Sequence, residues 1–206
     1  MINYIENRNK IFKAIENNSI DILHSGYDQH KSADAVRKYE VNKNFYYLSG
    51  ICQKDVKLVM VKMGDQQLSW LFIDEIDEVM AKWVGRTLTK EEAKEISKVD
   101  AVYYNSQFES MVSSLYQPTR HFAYSAEIAY LDLEVARIPL YNTFALDYAK
   151  SLKERYPSVC VKNIYHIIVD ARMSKSEGEI EEIKKSIETT KNAIYNVMKH
   201  HNELDN

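Results

Sequence analysis

The sequence predicts an α/β fold with a mostly buried sheet, and three observations carry that expectation. Strand-like and helix-like segments alternate from about residue 56 to residue 161. Two neighbouring segments, Val56–Met63 and Leu68–Asp74, are apolar and partly β-branched, and they flank the turn-forming pair Gly64-Asp65. Two capping boxes, Thr89-Lys-Glu-Glu and Ser176-Glu-Gly-Glu, mark helix starts after that point.

Taken in order, Arg8 to Asn17 places Ile11, Phe12 and Ile15 at a three-to-four spacing among charges, which predicts an amphipathic opening helix. Ser19 to Leu23 reads as a strand stopping before Gly26, and Gln29 to Asp34 as a polar surface turn. Asn44 to Gly50, NFYYLSG, is a dense aromatic run whose plainest reading is a strand with alternating core and surface residues. The two strands around Gly64-Asp65 should bury Leu58, Met60, Leu71 and Ile73. Asp74 to Trp83 carries a helical pattern whose acidic start suits the helix dipole. Then come a short helix to about Lys98, a strand at Ala101–Tyr104, a helix at Gln107–Leu115, a strand at His121–Ser125, a helix at Ala145–Arg155 and a strand at Val159–Val161. The last helix should run from Glu177 to about His201, roughly 37 Å at 1.5 Å per residue. Its apolar stripe is Ile180, Ile183, Ile187, Thr190, Ile194 and Val197. Such a face needs a partner, because a lone amphipathic helix gains little from its own hydrogen bonds.

Length and composition restrict the function. The 206 residues suit one large domain, or one domain plus part of another. With 27 basic and 30 acidic residues the chain has no electrostatic footprint for nucleic acid. Two cysteines, Cys52 and Cys160, cannot build a disulfide framework, so a reducing compartment is expected. The N-terminal segment lacks the continuous apolar core of a signal peptide, and the apolar stretches are far too short for a membrane span. A cytoplasmic protein with no membrane partner is the expectation.

Familiar catalytic patterns are missing. The five glycines stand alone, so none forms a phosphate-cradling loop. There is no G-x-S-x-G elbow and no H-E-x-x-H pair. His200-His201 reads as a solvated helix end, Cys52 as a small strand-edge residue, and Asp74-Glu-Ile-Asp-Glu as an acidic helix start rather than a metal site.

Three stretches in register carry a family resemblance. Tyr39 to Gly50 (YEVNKNFYYLSG), Phe72 to Gly85 (FIDEIDEVMAKWVG) and Ile168 to Thr190 (IVDARMSKSEGEIEEIKKSIETT) together resemble the amino-terminal domain of Xaa-Pro aminopeptidases, in the creatinase, prolidase and aminopeptidase P group. The resemblance covers nearly the whole chain. Glu40-Val41 stands where many aminopeptidases P have Arg-Gln, and Gln53-Lys-Asp stands in place of Glu-Pro-Asp.

The resemblance implies a ribonuclease H-like mixed sheet flanked by helices over residues 1–168. It implies an interdomain junction and the first helix of a pita-bread catalytic domain over 169–206. It further implies a parent enzyme that hydrolyses the bond before a penultimate proline, using two divalent metal ions, expected to be manganese, held by a domain beyond this chain. No catalytic and no metal-ligating residue is expected here. The implied role is oligomerisation and shaping of substrate access, with Trp83 and Asp34 as the substrate-access candidates. Implied partners are its own carboxy-terminal catalytic domain, a second copy in a homo-oligomer of two or more, and proline-containing peptides. Alternatives are a stand-alone binding or assembly module, a pita-bread relative without peptidase activity, and a prolidase-like dipeptidase.

Overall fold

A computed structural model of the chain describes residues 2–75, 81–82, 85–117, 125–134 and 143–200. It divides into two compact units, one formed by Tyr4–Ala171 and the other by Met1–Asn3 with Arg172–Asn206.

The first unit is built on a six-stranded sheet. In chain order the strands and helices are α1 (Tyr4–Ala14), β1 (Ser19–His24), a small hairpin of β2 (His30–Ser32) and β3 (Ala35–Val36), α2 (Lys43–Ser49), β4 (Lys57–Met63) and β5 (Gln66–Ile73). There follow α3 (Lys90–Ser97), β6 (Ala101–Tyr104), α4 (Phe108–Leu115), β7 (Ile128–Leu131), α5 (Phe144–Arg155), β8 (Cys160–Asn163) and α6 (Tyr165–Met173). The sheet order is β6-β5-β4-β1-β7-β8. Only β4 runs against the rest, since it pairs antiparallel with both β1 and β5 while the other pairs are parallel. This is the mixed sheet flanked by helices that the resemblance implied.

The sheet is central because its middle strands are apolar on both faces, as strands covered by helices must be. Leu58, Met60, Leu71 and Ile73 turn to one face and pack with Ile11, Phe12, Phe45, Leu48 and Ile168 from the helices α1, α2 and α6. Ile20, Ile22, Val59, Val61 and Phe72 turn to the other, against Phe108, Val112 and Leu115 of α4 and Leu152 of α5. All four expected core residues of β4 and β5 are at most 1% exposed.

The aromatic run corrects the sequence expectation. Residues 43–49 form a helix, not a strand. Asn42 Oδ1 accepts from the backbone N–H groups of Asn44 and Phe45, which caps the first turn. Gly50 ends the helix in the left-handed region at φ 70°, with its N–H donating to the Tyr46 carbonyl. A Cβ on Gly50 would also lie 2.4 Å from the Tyr4 ring, so a glycine is required twice over. Two caps outweigh the strand preference of three aromatic residues. Phe45 and Tyr47 are buried and only Tyr46 is exposed.

Other differences are smaller. The expected strand at His121–Ser125 lies outside the described residues except for Ser125, which is not in a strand. The pattern left β7 and α6 unassigned, and the polar segment expected as a turn holds the exposed hairpin β2–β3. Cys52 is exposed in the segment between α2 and β4 rather than on a strand edge, and both cysteines are free.

Three buried polar groups shape this unit. Arg8 is 3% exposed, and its guanidinium donates to the carbonyls of Leu48 (2.8 Å), Ser97 (2.9 Å) and Lys98 (2.8 Å). Those carbonyls lie at the carboxyl ends of α2 and α3, where a cation also meets the negative end of each helix dipole. Asn7 adds a bond to the Tyr47 carbonyl at 2.9 Å. Asp21, by contrast, is fully buried in β1 with no hydrogen-bond partner for either oxygen among the described residues. Burial, and then the nearby Asp132 carboxylate, push its pKa well above the carboxylate range.

The second unit carries α7 (Glu177–His200), opened by the expected capping box. Ser176 Oγ accepts from the Glu179 N–H at 3.3 Å while Glu179 Oε2 accepts from the Ser176 N–H at 2.8 Å. Within that helix Ile180, Ile183, Ile187, Ile194 and Val197 are all exposed. No helix among the described residues is long and apolar enough to cross a membrane.

Two outcomes follow. Arg8→Leu should lower the unfolding free energy by about 2–4 kcal/mol, because buried carbonyls lose their donor; a urea midpoint equal to wild type would contradict this. Asp21 has a folded pKa raised above its unfolded value, so its stabilising contribution is complete below about pH 3.9 and is lost as pH rises toward the folded pKa. Asp21→Asn removes that dependence. The variant should gain on wild type by up to about 1.4 kcal/mol per pH unit above pH 4 in paired denaturation series; a constant difference across pH would contradict the assignment.

Candidate functional site

Because β1, β5, β6, β7 and β8 run the same way, their carboxyl ends gather at one edge of the sheet, beside the start of the opposed β4. In open α/β sheets that edge is where ligand-facing loops collect. The most connected polar centre of the described residues lies there, at the ends of β1, β5 and β6 and the start of β4.

His24 ends β1 with 5% of its side chain exposed. The Gly26 backbone N–H donates to its Nδ1 at 3.0 Å. A backbone N–H can only donate, so Nδ1 is an acceptor and the ring proton sits on Nε2. That Nε2–H donates to Asp55 Oδ1 at 3.0 Å. Lys57 Nζ donates to the same Oδ1 at 3.0 Å and to Asn105 Oδ1 at 3.0 Å. Asn105 Nδ2 in turn donates to the Asp55 carbonyl and to Asp74 Oδ1, both at 2.7 Å. The His24 ring stacks on Phe144 with centroids 4.6 Å apart, and the Tyr27 ring lies tilted with its centroid 4.2 Å away.

The charges in this centre are fixed by its surroundings. Burial is the largest influence on His24 and lowers its pKa; the Lys57 charge lowers it further, against the hydrogen bond to Asp55. Burial opposes the Asp55 charge, but the bonds from His24 and Lys57 and the lysine's charge outweigh it and hold Asp55 below its ordinary value. The result is a neutral imidazole beside a Lys57–Asp55 ion pair. Both ring nitrogens are engaged and the ammonium is tied to Asp55 and Asn105, so the imidazole and the lysine hold the loops in place.

Of the two residues expected to serve substrate access, Asp34 is among the described residues and Trp83 is not. Asp34 is exposed in the turn between β2 and β3, after Ala33, which adopts φ 49°. Its hairpin grows from the loop that leaves His24, and it is closed at the base by the Arg37 N–H donating to the Gln29 carbonyl at 2.7 Å. Trp83 lies outside the described residues, as does most of the segment 74–83 expected as a helix; there Asp74 and Glu75 are not helical, whereas Ala81 and Lys82 are.

Sequence reading missed His24, Lys57 and Asn105 altogether and met Asp55 only within Gln53-Lys-Asp. The available signal was weak: polar residues at strand ends, two of them beside a glycine or in a turn. No group of three or more His, Cys, Asp or Glu among the described residues is arranged to hold a metal. At the His24–Asp55 pair the Lys57 ammonium already sits on the carboxylate, so the donor set does not fit a divalent ion.

The chain resembles a Bacillus anthracis structure described as an aminopeptidase P, with 38% identity and a TM-score of 0.88 over 96% of this chain and 46% of that one. It is 23% identical over 200 residues to intermediate cleaving peptidase 55 of Schizosaccharomyces pombe, covering 95% of this chain and 40% of the relative. It is also 23% identical over 110 residues to the Xaa-Pro aminopeptidase of Haemophilus influenzae, covering 53% of this chain and 26% of the relative. The chain thus spans less than half the length of the relatives it matches. With the profile of the aminopeptidase P N-terminal domain matching residues 4–124, more than half of the sequence, the chain belongs to the aminopeptidase P N-terminal domain family.

Proposed function

We propose that this chain is the non-catalytic amino-terminal part of a metal-dependent Xaa-Pro aminopeptidase, which hydrolyses the bond between an amino-terminal residue and a penultimate proline. The observation that carries this reading is the match over 96% of this chain to only 46% of an aminopeptidase P chain. Divalent ions would supply an activated water and a polarised carbonyl in the sequence the relatives carry beyond this match. The domain itself would assemble copies and shape the entrance to the peptidase cleft in a cytoplasmic enzyme.

In that role Trp83 offers an indole face that can stack on a proline ring and exclude water. Asp34 offers an exposed carboxylate that can meet the free ammonium of a peptide. The exposed Ile180/Ile183/Ile187/Ile194 stripe would belong to the first helix of the peptidase domain. A stand-alone module would be favoured by an exposed aromatic patch on Phe45, Tyr46 and Tyr47, but only Tyr46 of the three is exposed.

Purified alone, the 206-residue chain should release no residue ahead of proline and bind no manganese in calorimetry. Turnover, or stoichiometric tight binding, would overturn the assignment of chemistry to other sequence. In a protein that joins this domain to its peptidase domain, Trp83→Ala should raise KM or lower kcat on Xaa-Pro peptides roughly tenfold, the effect of losing about 1.4 kcal/mol of contact. A lowered melting temperature with unchanged kinetics per folded molecule would make Trp83 a packing residue. Asp34→Asn should raise KM for peptides with a free amino terminus and leave amino-terminally blocked ligands unaffected.

A further inference from the structure

We propose that His24 is an acid-sensitive latch on the turn at Gly26 from which the β2–β3 hairpin leaves, holding that turn while its imidazole is neutral and releasing it when the ring takes a second proton. The latch is independent of the substrate-access reading of Asp34, because it concerns the order of the turn and not what the hairpin meets.

The geometry makes the two states unequal. Beyond Ser25, which is tied on both sides by Ser25 N–H to the Val56 carbonyl and Val56 N–H to Ser25 Oγ, the chain turns at Gly26 with φ 107°. The first contact of that turn is the Gly26 N–H on His24 Nδ1, at 3.0 Å. Protonating Nδ1 replaces this bond with two N–H donors facing each other, so the turn must move or the proton must stay off. Further ties on the segment include the Asp55 N–H to the Gly26 carbonyl at 3.0 Å, the Lys54–Asp28 pair, and the Arg37 N–H to the Gln29 carbonyl at 2.7 Å. None of those depends on a ring that changes charge between pH 5 and 7, the interval in which histidine ordinarily titrates.

The groups facing the ring set the direction. From the segment before β4 and from β4 itself come Asp55 and Lys57, from the end of β5 comes Asp74, and from its own loop comes Tyr27, which also feels the charge of Asp147 of α5. The Phe144 side of the ring is apolar. Burial and Lys57 oppose the proton, Asp55 and Asp74 favour it, and the balance places the folded pKa below the ordinary value. The unfolded segment then binds a proton where the folded one does not, so local stability is complete above about pH 6.5 and is lost as pH falls below it. His30, on the hairpin itself, bonds the Ala33 carbonyl through Nε2 at 3.0 Å, an acceptor that tolerates either charge state.

The test is NMR of the 206-residue chain from pH 7.5 to 4.5. Long-range imidazole spectra should show His24 as the Nε2–H tautomer at pH 7.5. On acidification the Gly26 amide should shift with the His24 midpoint. Gly26 hydrogen-exchange protection should fall by up to about tenfold per pH unit below 6.5. His24→Asn places a non-titrating oxygen where Nδ1 lies, so in that variant the turn should keep its protection and lose the pH response. An Nδ1–H tautomer, a Gly26 amide indifferent to pH, or a response that persists in His24→Asn and so belongs to His30 or a carboxylate would each overturn the latch. The tautomer reading needs no variant and stands even if His24→Asn fails to fold.

Discussion

Arg8 carries a full charge into a position 3% exposed, and desolvation lowers its pKa to about 10, still far enough above neutrality for the charge to persist. An unpartnered cation there would be prohibitive. The arrangement works because three carbonyls at the ends of two helices converge on one planar fork, which can satisfy them simultaneously. Everything nearby inherits that geometry. With the end of α2 fixed, Gly50 turns the chain against the Tyr4 ring and sends it through Ile51 to Gln53. There the Gln53 side chain accepts the Leu88 N–H at 2.8 Å and its carbonyl accepts the Tyr39 hydroxyl at 2.9 Å. Two residues on, Asp55 arrives in the left-handed region at φ 52° and meets His24 and Lys57. The polar centre at the sheet edge is thus positioned by a buried cation in the first helix.

Three buried ionisable groups in this unit meet the cost of desolvation in three different ways, and the difference lies in their partners. Arg8 keeps its charge because oxygens surround it. Asp21 has no donor and a like charge in Asp132, so the acid form is the one that fits. His24 has one donor in Gly26 and one acceptor in Asp55, which together match the neutral tautomer and neither charged alternative. Nearly equal burial therefore gives a cation, a neutral acid and a neutral base.

This explains what the sequence made legible. The strands β4 and β5, the Thr89 and Ser176 caps and the core residues Leu58, Met60, Leu71 and Ile73 follow from local periodicity and capping, which a sequence displays directly. The aromatic run was misread because strand propensity is visible in Phe45, Tyr46 and Tyr47, whereas the decisive cap in Asn42 is a single side chain before the run. Arg8 reads as one more charge on an amphipathic helix, since its partners Leu48 and Ser97 are 40 and 89 residues away. The His24 centre is harder still: its five polar side chains come from four places in the chain, and only the sheet order joins them. Asp34 was found by resemblance and is exposed, while Trp83 falls outside the described residues.

Within the sheet-edge centre the Lys57–Asp55 pair, not His24, carries the electrostatic weight. Lys57 has 11% of its side chain exposed, so loss of Asp55 would leave an ammonium held by the Asn105 oxygen and by the Phe108 and Phe144 rings at 5.5 and 5.8 Å. Loss of His24 would leave Asp55 still paired, and would cost only two neutral-donor bonds and a stacked ring. The ion pair therefore fixes where the strands end, and the imidazole fixes only how the loop leaves β1. The imidazole in particular has spent both of its nitrogens on its own loops. At the same edge the loops present outward the exposed Tyr27 ring and the hairpin that carries Asp34, both free of the constraint that binds the imidazole inside.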